Sequence, residues 1–116
     1  IGNDNADGQV VISGNLKGVE NAIEIAKKNG AKRAILLPVS APFHCRLMEP
    51  ARVIMEEALN NLEFNEPLIP IVSNITALSH TNPLILRKNL IDQVTGTVRW
   101  RETMEFAQNQ GVKKNN

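Results

Sequence analysis

The order strand, amphipathic helix, strand over residues 8–39 constrains the fold of this chain more than any other feature. QVVIS, a β-branched run between Gly8 and Gly14, reads as a short buried strand. Asn15 can then cap a helix from Leu16 to about Asn29. Leu16, Val19, Ala22, Ile23 and Ala26 recur on one face of it, with Lys17, Glu20, Glu24 and Lys27 facing away. Gly30 stands where a left-handed residue ends a helix. KRAILLPV, residues 32–39, is the next predicted strand, and Pro38 puts it at a sheet edge or a strand end. The expected product is a β-α-β unit, and with it an α/β fold.

Further along, the spacing predicts a helix from Arg46 to about Asn61, with Pro50 confined to its first turn. Leu47, Ala51, Ile54, Met55, Ala58, Leu59 and Leu62 form its apolar stripe. A short strand fits near Ile69–Ser73. Asn82 and Pro83 suit the cap and first position of a helix to about Val94. A last helix is predicted over Arg99–Gln110, stopped by Gly111. Val112 would begin another strand, yet only KKNN follows. An alternation cut at that point leaves sheet edges and apolar faces uncovered, so a truncated or split protein is expected.

Charge and composition exclude several functions. Thirteen Lys and Arg balance twelve Asp and Glu to a formal charge of +1, which offers no field for nucleic acid or an anionic membrane. No apolar run is long enough to span a bilayer. A single cysteine fits a reducing compartment, and the cytoplasm is the default location. With three Phe, one Trp and no Tyr, packing falls to Leu, Ile, Val and Ala.

His44 is the residue best placed for chemistry. It lies between the end of one predicted strand and the start of a helix, where α/β proteins display active groups. An imidazole there can take a proton near neutrality, since its unperturbed pKa is about 6.5. A structural, hydrogen-bonded histidine is the other reading. The neighbouring Cys45 reads as a small buried hydrophobe, and His80, in LSHTN, as a solvated turn residue. Two histidines and one cysteine at these distances have no metal-site spacing. Asn3 and Asn5, with Asp4, Asp7 and Gly8, form a polar turn. They serve either turn chemistry or a polar pocket lined with amide donors.

Four ordered segments then carry a resemblance to a known family. NDNADGQVVISG is similar to an asparagine-rich turn and strand of the malonyl-CoA:acyl carrier protein transacylases and of the acyltransferase domains of polyketide and fatty acid synthases. GAKRAILLPVSAPFHCRLMEPA resembles that family's strand, catalytic histidine and following helix. IPIVSNITA and VRWRETMEFAQNQGV resemble its next strand and a later helix. The resemblance implies a ferredoxin-like small subdomain, whose second half is residues 1–40. It also implies that 41–116 are part of a large α/β hydrolase-like core.

By the same resemblance, His44 is the catalytic histidine, and Asn3 and Asn5 are the paired asparagines near the acyl pocket. Phe43 either narrows that pocket against a methyl-branched acyl group or simply packs. The family's reaction is ping-pong transfer of malonyl from coenzyme A to acyl carrier protein through a serine. It needs no cofactor, coenzyme A thioester being the substrate. The histidine is expected to be held by a backbone carbonyl beyond the end of this chain. The chain's serines are Ser13, Ser40, Ser73 and Ser79, and none stands in a G-x-S-x-G frame. The arginine segment that binds the malonyl carboxylate is also missing. A base without its nucleophile has nothing to activate. The expectation is half of a transacylase site, inactive alone, whose partners are malonyl-CoA, acyl carrier protein and the missing N-terminal part of the enzyme. The alternatives are a decayed remnant or a non-catalytic module that binds acyl carrier protein through Lys17, Lys27, Lys28, Lys32 and Arg33.

Overall fold

Residues 1–112 are described by a computed structural model. The chain opens with an antiparallel hairpin, β1 (Asn3–Ala6) and β2 (Gln9–Val11), joined by the Asp7–Gly8 turn. The expected polar turn at Asn3–Gly8 is therefore mostly strand. Asn3 pairs with Val11 and Asp4 with Val10, but Ala6 pairs with Gln9, so Asn5 is the extra residue of a bulge. The buried strand QVVIS shortens to three residues, of which Gln9 and Val10 are exposed. A two-stranded ribbon brings no second layer to cover its outer face.

Helix α1 (Leu16–Lys28) forms as its periodicity predicts. The Asn15 side chain accepts a hydrogen bond from the Gly18 amide at 2.7 Å. Gly30, at φ 94°, ends the helix: its amide bonds to Lys27 O and that of Ala31 to Ala26 O. No residue of α1 is buried, so the amphipathic pattern sets the helix without enclosing its apolar face.

The strand expected over 32–39 does not form, and with it the β-α-β unit is lost. A parallel strand draws all its ladder bonds from neighbours. None lies beside these residues in the described chain, and Ile35, Leu36, Leu37 and Val39 stay exposed. The observed sheets are two separate antiparallel hairpins.

A 3-10 turn (Arg46–Met48) leads into α2 (Glu49–Asn60), with Pro50 in the first turn as expected. The stripe predicted for α2 is largely uncovered, with Leu47, Ile54 and Leu62 exposed. β3 (Ile71–Ser73) pairs with β4 (Leu78–His80), a strand not foreseen in the sequence. His80 is consequently not a solvated turn residue: it is half-buried, and its Nε2 lies 2.8 Å from Thr76 Oγ1. α3 (Pro83–Asp92) starts at the Asn82 cap, and α4 (Trp100–Asn109) stops at Gly111, whose φ is 89°. The Val112 amide bonds to Ala107 O, so this residue closes a helix rather than opening a strand. Residues 113–116 lie outside the described residues.

Burial is concentrated around α3 and the β3–β4 turn. Ala77, Leu86 and Ile91 are the buried apolar side chains, accompanied by Asn89 and Thr103. Asn89 Nδ2 donates to Ser73 Oγ at 3.0 Å, and the Thr103 hydroxyl lies 3.1 Å from Asn74 Oδ1. The two buried polar side chains thus reach partners on and just after β3. The radius of gyration, 16.6 Å, exceeds the roughly 13 Å of a compact chain this long, in keeping with so small a core.

One ion pair, Arg52–Asp92, joins α2 to α3, and a second, Lys88–Asp92, lies within α3. Arg52 lies 3.3 Å from Asp92, and Lys88 lies 2.6 Å from the same carboxylate. The Lys88 hydrogen bond, seconded by that of Arg52, holds the Asp92 carboxyl below its ordinary range against the opposing effect of burial. A depressed carboxylate pKa contributes stability above the unfolded value, about 3.9, which is lost as pH falls through the folded value. Asp92→Asn is therefore expected to lower the urea midpoint at pH 7 and to leave it nearly unchanged at pH 2–3. An equal loss at both pH values would show that the charge is not what joins these helices.

Candidate active-site segment around His44

The loop from Ser40 to Cys45 carries two unusual features at one residue. His44 has φ 57°, in the left-handed region that histidine enters more readily than most side chains. Its Nδ1 lies 2.9 Å from the carbonyl oxygen of Gln93, the residue that caps the end of α3. A carbonyl only accepts, so the bond fixes the proton on Nδ1 and leaves Nε2 as the basic nitrogen of the neutral ring. The holding carbonyl is thus inside the chain, not beyond its end as the resemblance suggested. Cys45 is half-buried, and its thiol donates to Pro42 O at 3.0 Å. Phe43 is 46% exposed.

The asparagine strand lies against this loop. Gly2 is buried, and a Cβ built on it would stand 3.2 Å from Phe43 O and 2.6 Å from Ser13 Oγ. Only a glycine leaves room for the two backbones to approach so closely. Just beyond α3, Val98 bonds β1 on both sides: its amide to Gly2 O and its carbonyl to the Asp4 amide, each at 2.8 Å. One stretch of chain, Gln93–Val98, therefore reaches both the histidine and the asparagine strand. Asn3 and Asn5 are half-buried, and among the described residues neither is hydrogen-bonded to His44. Within the same residues no group of three or more His, Cys, Asp and Glu could hold a metal ion.

The fold of the chain as a whole is similar to part of several solved proteins. The acyl-carrier-protein-S-malonyltransferase of Bartonella henselae superposes with a TM-score of 0.92 at 49% identity, over 97% of this chain and 36% of that one. The malonyl CoA-acyl carrier protein transacylase of Bacillus subtilis (strain 168) is 43% identical over 112 residues, 97% of this chain and 35% of its own length. Over nearly its whole length the chain is homologous to part of the malonyl-CoA:acyl carrier protein transacylases. It spans about a third of the length of the relatives it matches. A malonyl-transacylase solved in complex with its type II polyketide acyl-carrier protein also aligns, at 40% identity and a TM-score of 0.82, over 85% of this chain and 32% of that one. No family model matches the sequence.

Two parts of the segment were illegible in the sequence. Gln93 holds His44 through its backbone carbonyl, and a carbonyl has no residue signature. Asp4, read as turn chemistry, is instead gripped by Arg101 from α4. A buried Gly2 at the start of β1 predicts one stability effect. Gly2→Val places atoms within contact distance of Ser13 Oγ and the Phe43 carbonyl, and overpacking of this kind costs about 1–3 kcal/mol. Chemical denaturation of the full-length protein should register that loss, and an unchanged midpoint would mean the loop has slack.

Proposed function

We propose that these residues are the histidine half of a malonyl-CoA:acyl carrier protein transacylase site, with His44 as its general base and acid. The observation that carries this reading is the His44–Gln93 bond, which leaves Nε2 available to take a proton. In the proposed reaction Nε2 takes the proton of a serine as that oxygen attacks the malonyl thioester. Coenzyme A leaves as the thiol once that proton is returned to its sulfur. The carrier thiol then gives its proton to Nε2 and takes the malonyl group from the serine, whose oxygen leaves with that proton. The nucleophile comes from a part of the family fold outside these residues, where the N-terminal portion of the enzyme is the first partner. Within the 116 residues no serine stands in the G-x-S-x-G frame that would present one.

Asn3 and Asn5 are proposed to line the acyl pocket, and Phe43, exposed at its edge, to narrow that pocket against a methyl branch. The division of the chain into 1–40, half of a ferredoxin-like subdomain, and 41–116, part of the large core, belongs to the same proposal. So does a cytoplasmic location. Acyl carrier protein as acceptor is supported by the relative solved with its own carrier. A purely carrier-binding module would use Lys17, Lys27, Lys28, Lys32 and Arg33. All five are exposed, as surface cations ordinarily are, so nothing favours that reading over catalysis.

In the complete enzyme, His44→Asn, chosen because asparagine tolerates the left-handed backbone, is expected to slow malonyl transfer by about 10²–10⁴-fold. Retention of full activity would overturn the reading. The 116 residues alone should transfer no malonyl. Phe43→Ser should raise methylmalonyl transfer relative to malonyl by about tenfold or more. A ratio that does not move would reduce Phe43 to packing.

A further inference from the structure

The Asp4–Arg101 pair stands apart from the other ion pairs of the chain. It connects residues 97 positions apart, and it is forked: Arg101 Nε lies 3.1 Å from both carboxylate oxygens and Nη2 2.9 Å from Oδ2. Both side chains are largely covered, with 30% and 22% of their surface exposed. A fork of this kind fixes direction as well as distance, which a lysine in the same place would not do.

Its position gives it a task. Asp4 sits between Asn3 and Asn5 on β1, directly before the bulge, where the ladder with β2 loses its regular register. The hairpin partner alone therefore does not fix how Asn5 is aimed. On its other edge β1 is held by Val98, two backbone bonds placed just before α4 begins. Arg101 is in the first turn of α4, so its guanidinium adds a third anchor on the same side. Those anchors belong to the stretch that starts at Gln93, the residue holding His44. Arg101 itself is held in place by Glu105 at 3.1 Å.

We infer that Arg101 and Asp4 are positioning residues, which set the asparagine strand against the histidine loop so that Asn3 and Asn5 face the acyl group. This rests on the transacylase reading above. Neither residue needs to touch the substrate. The base is held independently by Gln93, so the pair governs acyl binding and leaves proton transfer alone.

Steady-state malonyl transfer should be measured in the complete enzyme for Asp4→Asn, Arg101→Lys, the double variant and His44→Asn, with melting temperatures for each. The expected result is a KM for malonyl-CoA raised about tenfold in either pair variant, with kcat within about twofold and the acid limb of its pH profile in place. Arg101→Lys, which keeps the charge but not the fork, should behave like Asp4→Asn. The double variant should be no worse than the poorer single, as for two members of one interaction. The inference is overturned by an unchanged KM, by rescue in Arg101→Lys, by additive losses, by a shifted acid limb, or by losses that only follow the melting temperature. If His44→Asn keeps full activity, the transacylase reading itself fails. If His44→Asn is inactive while the pair variants match the wild type, only this inference fails.

Discussion

Two backbone hydrogen bonds from Val98, one to Gly2 and one to Asp4, are the contact on which the rest of the arrangement depends. They turn a two-stranded ribbon, marginal by itself, into a strand with neighbours on both edges. Without them the first hairpin would meet the C-terminal helices only through side chains. With them, a chain whose ends are far apart in sequence is closed at the level of the backbone. The closure brings the start of the chain to the loop that carries His44, and the same stretch supplies the carbonyl that orients its ring.

Local structure was largely legible in the sequence, because helices are set by periodicity and caps that lie within a few residues. Asn15, Asn82, Gly30 and Gly111 each end or begin a helix where their chemistry predicts. What the sequence did not yield was pairing. KRAILLPV has the composition of a strand, but strand formation is a property of two segments, and among the described residues none lies beside this one. His80 was misread for the converse reason: a polar LSH run gains its place from β3 opposite it. His44 was visible by residue type and by family resemblance. The atom that holds it, the Gln93 carbonyl, could be found only from the fold.

The distribution of burial separates two kinds of local order. Around α3 the buried apolar groups and the Asn89–Ser73 bond form a small enclosed centre. Around α1 order rests on capping and on the helix's own hydrogen bonds, with no residue enclosed. Apolar faces on α1, on residues 35–39 and on α2 are exposed to an extent unusual for a self-sufficient domain. The relatives, of which this chain covers about a third, have chain to spare for such faces. The His44 segment is bonded to the better enclosed region through Gln93.

The bulge at Asn5 has a consequence for how this region can change. Removing one residue between Asp4 and Ala6 would restore an even ladder with β2. It would also take away the unpaired position that Asn5 occupies. A turn of two residues, Asp7–Gly8, stands immediately afterwards and can absorb insertions at little cost to the pairing. Length variation among homologous chains should therefore collect at the turn and avoid the strand before it. In β1, residue count is as strict a requirement as residue identity.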